Sequence, residues 1–375
     1  GRATPRVAMG RPDQGVQDEK EKEVLQQVHH QSKAQKVRKE VEIGVSEGDE
    51  DYMFAGIIDV EVDSQENIHV LDWKYKTVKK YNKNGEFLKN IGQKGQGPGE
   101  FSAILVDSCL DKDDRLYVLE LRKVHVFEAN GKFIHSFLPD FFPMGIMVDA
   151  EGEIILCGER GERFFHVYDG EGKYVRSFGE LWVIPERLRK FYNFREKIDT
   201  RMVHLSQDGK FLIFNPFQYE MDVYEGEKLE RRITRANPNY RIPELAKNEK
   251  GEDVLRNTFA HILETNEHIF VWYAAEIKDY VLGENRYIDS YDKKDYKFLG
   301  TTAIREKGIP VALKNDKIFF DDQEGDFPRV LRYKIVYQKS RDTNNCNRSP
   351  GLRACRRTRQ DEDCWSTARI SSRSR

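Results

Sequence analysis

Asp72, Glu120, Gly158, Asn215, Tyr273 and Asp322 share one local setting, each following directly on a short apolar run of the β type. Asp72, Glu120, Asn215 and Asp322 carry acid or amide oxygens, and several such oxygens converging on a dry pocket are what calcium requires. Short polar side chains also cap the turn after a strand, with no ligand involved. Next to this slot stand Trp73, Lys74, Arg122, Phe217 and Tyr219. Aromatic side chains interleaved with basic ones favour contact with a protein, peptide or glycan. The binding residues expected from sequence are therefore Asp72, Trp73, Glu120, Arg122, Asn215, Tyr273 and Asp322, with no catalytic residue and no required cofactor. Calcium or another divalent cation in a central channel is the one cofactor these oxygens suggest.

Other residue types add little chemistry. His69, His125, His135, His166, His204, His261 and His268 fill no common position three times, so no His-based metal centre is expected. His29 and His30 are neighbours, and neighbouring helix positions diverge by about 100°. Cys109 and Cys157 fall in strand-like context and read as small buried apolar residues. The loop GQKGQGPGEF (residues 92–101) is rich in glycine but lacks the phosphate-loop pattern and does not open a helix, which argues against nucleotide binding. It reads instead as a tight crossing between sheets, with Phe101 as an apolar plug.

Whether the slot residues meet depends on the elements that carry them, and those elements repeat. Residues 67–101 recur in weaker form about every 38 to 48 residues, so that Asp63, Asp111 and Asp149 align, as do Ile68, Leu116 and Ile154, and Gly85, Gly131 and Gly172. Each copy holds an apolar run ending in Asp, a polar turn, an alternating strand, a third strand and an Asn-Gly or Gly-x-Gly turn into a fourth. Asn84-Gly85 suggests a hairpin with two left-handed residues. Four antiparallel strands in about forty residues make one propeller blade. The fourth and fifth copies are eroded, and the sixth, from residue 311 to 337, supplies three strands. Residues 41–54 resemble the end of the first copy, so the N-terminal strand is expected to complete the sixth blade near Tyr333 and close the ring.

Asp63, residues 67–72, Asn84-Gly85, Phe87 and the loop 92–101 resemble the NHL-type six-bladed β-propellers, and most closely the bacterial proteins known simply as six-bladed β-propeller proteins. The resemblance spans residues 38–337. It implies an all-β fold of four-stranded antiparallel blades, and an exported or cell-envelope setting. No signal peptide is visible in this chain. A lactonase of the gluconolactonase type would carry a Glu-Gly-Pro where this chain has FAGIIDVEVD.

Composition narrows the partners. The formal net charge is −2, so no strong field points to DNA or an anionic membrane, and RNA binding is disfavoured. No apolar run is long enough for a membrane-spanning helix. Residues 1–37 read as a tether, partly helical or disordered, residues 38–337 as the propeller, and residues 338–375 as a disordered Arg/Ser-rich tail foreign in composition to the domain. Cys346, Cys355 and Cys364 of that tail form no Cys-x-x-Cys pair. Residues 182–200 and 237–254 interrupt the repeat and are where specific function would concentrate. The sequence thus predicts a monomeric, non-catalytic propeller that binds a protein, peptide or glycan on one face. The alternative is a metal-dependent hydrolase or lyase, lactonase-like, with oxygen ligands at the channel mouth.

Overall fold

Asp63 folds the first turn of the repeat around its own carboxylate, whose Oδ1 accepts the N–H groups of Gln65 and Asn67 at 3.0 and 2.8 Å. Asp111 does the same for Asp113 and Arg115, and Asp149 for Glu151 and Glu153. Asn82 caps the later turn, accepting from Asn84 and Glu86. There the N–H of Gly85 donates to the Asn82 carbonyl at 2.9 Å, and only Gly85 is left-handed, at φ 85°. The turn is therefore of type I closed by a left-handed glycine, and not the pair of left-handed residues that Asn-Gly suggests. The aligned Asp recurs because it caps the first turn of each copy, and the aligned Gly recurs because the later turn closes on a left-handed residue.

These turns link the strands of a computed structural model that describes residues 36–189, 202–247, 250–256, 258–278 and 281–336. The chain enters through β1 (Lys36–Ile43). Blade 1 follows as β2 (Ile57–Val62), β3 (Ile68–Asp72), β4 (Thr77–Tyr81) and β5 (Phe87–Ile91). Blade 2 is β6 (Leu105–Leu110), β7 (Leu116–Glu120), β8 (Lys123–Phe127) and β9 (Phe133–Phe137). Blade 3 is β10 (Gly145–Val148), β11 (Ile154–Arg160), β12 (Arg163–Tyr168) and β13 (Tyr174–Glu180). Blade 4 is β14 (Val203–Leu205), β15 (Lys210–Asn215), β16 (Glu220–Glu225) and β17 (Lys228–Thr234). A two-stranded hairpin, β18 (Glu244–Lys247) and β19 (Asp253–Arg256), then precedes blade 5, which is β20 (Thr258–Glu264), β21 (His268–Lys278), β22 (Val281–Asp292) and β23 (Phe298–Ile304). Blade 6 takes β24 (Ile309–Lys314), β25 (Lys317–Asp322) and β26 (Arg329–Val336) from the end of the chain and β1 from its start. All six blades are four-stranded and antiparallel, so the fold is the six-bladed all-β propeller that the repeat predicts.

Closure follows the expected register, with Lys39 opposite Tyr333 and Ile43 opposite Val330. Pairing the two ends covers the edge of β26 that would otherwise stay open. Packing between blades is apolar and largely aromatic. Phe101 is fully buried with Leu71, Val78 and Ile91 of blade 1 and Leu105, Val118 and Phe127 of blade 2, which is the plug foreseen for the glycine loop. A Cβ on the left-handed Gly92 would collide with that Phe101 ring. Phe165, Phe178, Phe211 and Tyr224 fill the seam between blades 3 and 4 in the same way. Cys109 and Cys157 are free and buried, and burial pushes both thiols well up.

Within the first irregular stretch, Trp182 packs on Phe164 with ring centroids 5.8 Å apart, and Leu188 is buried against Phe217 with Ile184, Leu245 and Leu255 alongside. Its described part therefore packs back on the rim of blade 4 and on the β18–β19 hairpin. The expected tether, His29-His30, Phe191, Phe194 and the tail with its three cysteines lie outside the described residues. No helix among the described residues is long and apolar enough to cross a membrane.

Candidate functional site

The innermost strand of each blade is its first, so the ring encloses a cavity of about 290 Å³ lined by β2, β6, β10, β14, β20 and β24. Two walls of this cavity differ in chemistry. Blades 1 and 2 contribute Asp59, Glu61 and Asp107, and blades 4 and 5 contribute His204, His261 and Glu264. Met147 of blade 3 and Leu313 of blade 6 lie between them.

On the first wall, Ser108 Oγ donates to Asp59 at 2.6 Å and the N–H of Ile146 donates to Asp107 at 2.9 Å, which ties blades 1, 2 and 3 together. Burial pushes the Glu61 carboxyl well above the usual glutamate range, and the negative charges of Asp59 and Asp107 push it the same way, with Lys314 opposing. Glu61 is thus biased toward its neutral form. On the second wall burial opposes ionisation of Glu264, but His204 and donation from Ser206 Oγ and the Gln207 N–H outweigh it, and the carboxyl falls to about 2. Lys293 Nζ also lies 3.1 Å from Glu264 and His204 Nε2 lies 3.6 Å from it. Their surroundings therefore push the two carboxyls in opposite directions, Glu264 toward the anion and Glu61 toward the neutral acid.

Of the residues singled out from sequence, Asp72, Glu120, Asn215 and Asp322 end second strands, one strand further from the axis, Tyr273 lies inside the long second strand β21, and Trp73 and Arg122 stand in the turns that follow. Asp72 is fully buried, and its two oxygens accept the N–H groups of Ala55 at 2.7 Å and of Lys74 and Tyr75 at 3.0 Å each. Glu120 accepts from Ser102 Oγ at 2.9 Å, from the Ala103 N–H and from His125 Nε2 at 2.9 Å. Asp322 is buried, receives the Glu324 N–H at 3.1 Å and pairs with Arg329 at 2.8 Å. Asn215 accepts the Phe217 N–H at 3.0 Å. The Tyr273 hydroxyl joins a buried network in which Tyr219, Arg235, Asn237 and Thr301 all donate to Asp289. Each of these groups is engaged within its own blade or with the crossing next to it, and none of the seven lines the central cavity. Among the described residues no group of three or more His, Cys, Asp or Glu is placed to hold a metal ion.

Trp73 and Arg122 stand apart from that set because both are exposed. They lie on the ring face formed by the turns between second and third strands and by the crossings between blades. Lys74 sits 5.5 Å above the Trp73 ring, Arg122 4.8 Å above Phe142, and Lys76 donates to the Ser102 carbonyl at 2.7 Å. Those contacts join blades 1, 2 and 3 into one surface. Exposed Tyr75, Ile104, Leu138, Val183, Ile242 and Val254 share this face. The other exposed large apolar residues, Leu88, Ile134, Tyr174, Val175 and Leu299, are on fourth strands, and none lies in a described turn of the opposite face.

Asp59, Glu61, Asp107, His204, His261 and Glu264 were not singled out from sequence. One signal was available: IIDVEVD and LVDSCLD place charged residues inside a blade's first strand, and a first strand is the one that meets the axis.

A family model, DUF5128, described as a 6-bladed beta-propeller, matches residues 17–307. No curated protein matches the chain. Among solved structures the chain is similar to a Bacteroides fragilis protein described as exported, at 13% identity and a TM-score of 0.58, covering 83% of this chain and 98% of that one. A member of the DUF4221 family from Bacteroides vulgatus matches at 11% identity and a TM-score of 0.55, covering 81% and 98%. Virginiamycin B lyase from Staphylococcus aureus, in a catalytically inactive form with quinupristin, matches at 13% identity and a TM-score of 0.48, covering 80% and 100%. At these identities the likeness is one of fold.

Proposed function

We propose, on the premise that the chain belongs to this family of 6-bladed beta-propellers, that it is an exported, non-catalytic binding propeller that recognises a protein or peptide on its crossing face. The observation that carries the reading is the confinement of exposed apolar side chains to that face and the outer strands, with Trp73, Tyr75, Ile104 and Arg122 contributed by blades 1 and 2. Exposed apolar groups gathered on one side of a ring favour association, and tryptophan, tyrosine and arginine are the side chains that dominate binding hot spots. Aliphatic Ile104, Leu138 and Val183 suit a polypeptide better than a glycan, which would call for stacking platforms alone. The exported setting is taken over from the Bacteroides fragilis relative.

A random peptide library displayed on phage tests this reading. Enriched peptides are expected to lose at least tenfold in affinity with Trp73→Ala or Arg122→Ala, and to bind Glu61→Gln unchanged. Enriched peptides that ignore both surface substitutions would overturn the proposal, and loss on Glu61→Gln alone would move the site to the channel. Saturable glycan binding abolished by Trp73→Ala would replace the peptide with a glycan. A metal-dependent hydrolase or lyase would have to draw on the channel carboxylates instead, where burial and the charges of Asp59 and Asp107 push Glu61 toward the neutral form that binds a cation less well.

A further inference from the structure

Successive blades meet in the same way around most of the ring. The turn between the third and fourth strands of one blade leans on the fourth strand of the blade before it. Gly85 of blade 1 backs onto Val41 and Ile43 of β1, Gly131 of blade 2 onto Ile91 of β5, and Gly172 of blade 3 onto Phe137 of β9. In blade 4, Glu227 of this turn pairs with Arg176 of β13 at 2.9 Å. In blade 5, the Asp295 carbonyl accepts from Arg231 of β17 at 2.7 Å, with Tyr296 beneath that guanidinium. Blade 6 has no such turn, because its third strand ends at Val336 and its fourth begins at Lys36. Where the turn would lean on β23, an apolar groove of about 350 Å³ opens, lined by Phe270, Ile288, Thr302, Ile304, Ile318 and Ile335.

We infer that this groove is a docking site for the chain's own residues 17–35, which take the place of the missing turn. Position supports this choice of occupant. Val37 pairs with Ile335 across β1 and β26, so the chain that precedes β1 leaves the ring beside a residue lining the groove. Composition supports it too, since Val24, Leu25 and Val28 are spaced to form one apolar stripe in an otherwise polar stretch. The family match begins at residue 17 and so includes this segment. A docked segment would cover apolar surface that every other seam covers with a turn, and would brace the blade that holds the two ends of the chain together. This is independent of the partner proposed for the crossing face.

Amide hydrogen exchange on the full chain, read over residues 298–306, tests the inference. The double substitution Leu25→Asp with Val28→Asp is expected to speed exchange at 302–306 at least tenfold, with the other blades unchanged. The reciprocal substitution Ile304→Asp is expected to speed exchange over residues 24–28. Equal rates at 302–306 in the parent and in the double variant would overturn the inference. So would acceleration seen only when the chain ends at Gln338, which assigns the groove to the tail, or rates that depend on protein concentration, which assign it to a second copy.

Discussion

Asp72 and Asp59 belong to one blade and to adjacent strands, Asp59 lying opposite Leu71, yet their surroundings differ completely. Asp72, at a strand end, is enclosed by three backbone N–H groups of the turn and crossing it holds together. Asp59, in the middle of an inner strand, has no turn to cap and faces the cavity together with Glu61 and Asp107. A carboxylate at the end of a strand is used up by the chain's own amides. One on an inner strand must be answered by a neighbouring blade, by a proton or by whatever enters the channel.

Three substitutions test this contrast. The largest effect is expected from Asp72→Ala, which strips the acceptor from three backbone donors, each costing about 1–3 kcal/mol if left unsatisfied, for a total of about 4 kcal/mol in denaturant unfolding. A change below about 1 kcal/mol would show that solvent replaces the carboxylate and that it is no structural anchor.

Glu264→Gln should cost about 3 kcal/mol at neutral pH, as expected for a carboxyl lowered from 4.5 to about 2 by its partners. Because its folded pKa is depressed, this stabilisation is present above about 4.5 and is lost as pH falls toward 2. The parent and the variant should therefore converge in stability in acid, and parallel profiles would contradict the fixed anion.

Glu61→Gln should act in the opposite direction and more weakly. A carboxyl whose folded pKa is raised favours the folded state fully below its unfolded value of 4.5, and that advantage fades as pH climbs through the folded pKa. Glutamine removes the titration, so the variant should match the parent at pH 4 and become the more stable of the two as pH rises to 8. A variant less stable than the parent at both values would show an ionised Glu61 paired across the channel.

Blades 1 to 3 were legible because their turns carry aligned Asp and Gly residues whose effect is local. Blades 4 and 5 were harder to read. Ser206 stands where Asp63 stands in blade 1, and Tyr296 takes the left-handed place of Gly85. The slot after the second strand was read as a repeated position, but repetition alone does not say which strand of a blade meets the axis, and Gly158 and Tyr273 fall inside their strands. Trp73 and Arg122 could be named from residue type alone, while the one-sided exposure around them required the crossings from every blade. His204 and His261 carried no local signal, since neither sits in a turn or a motif.

The residues along the chain were enough to place the turns, count six blades and find the closing strand, since a capping carboxylate and a left-handed glycine act over a few residues, although the type of the Asn84-Gly85 turn was not among them. Only the tertiary structure decided which carboxylates face each other and which seam lacks its turn. Both depend on the ring closing, which brings inner strands far apart in sequence around one axis and sets the two ends of the chain side by side.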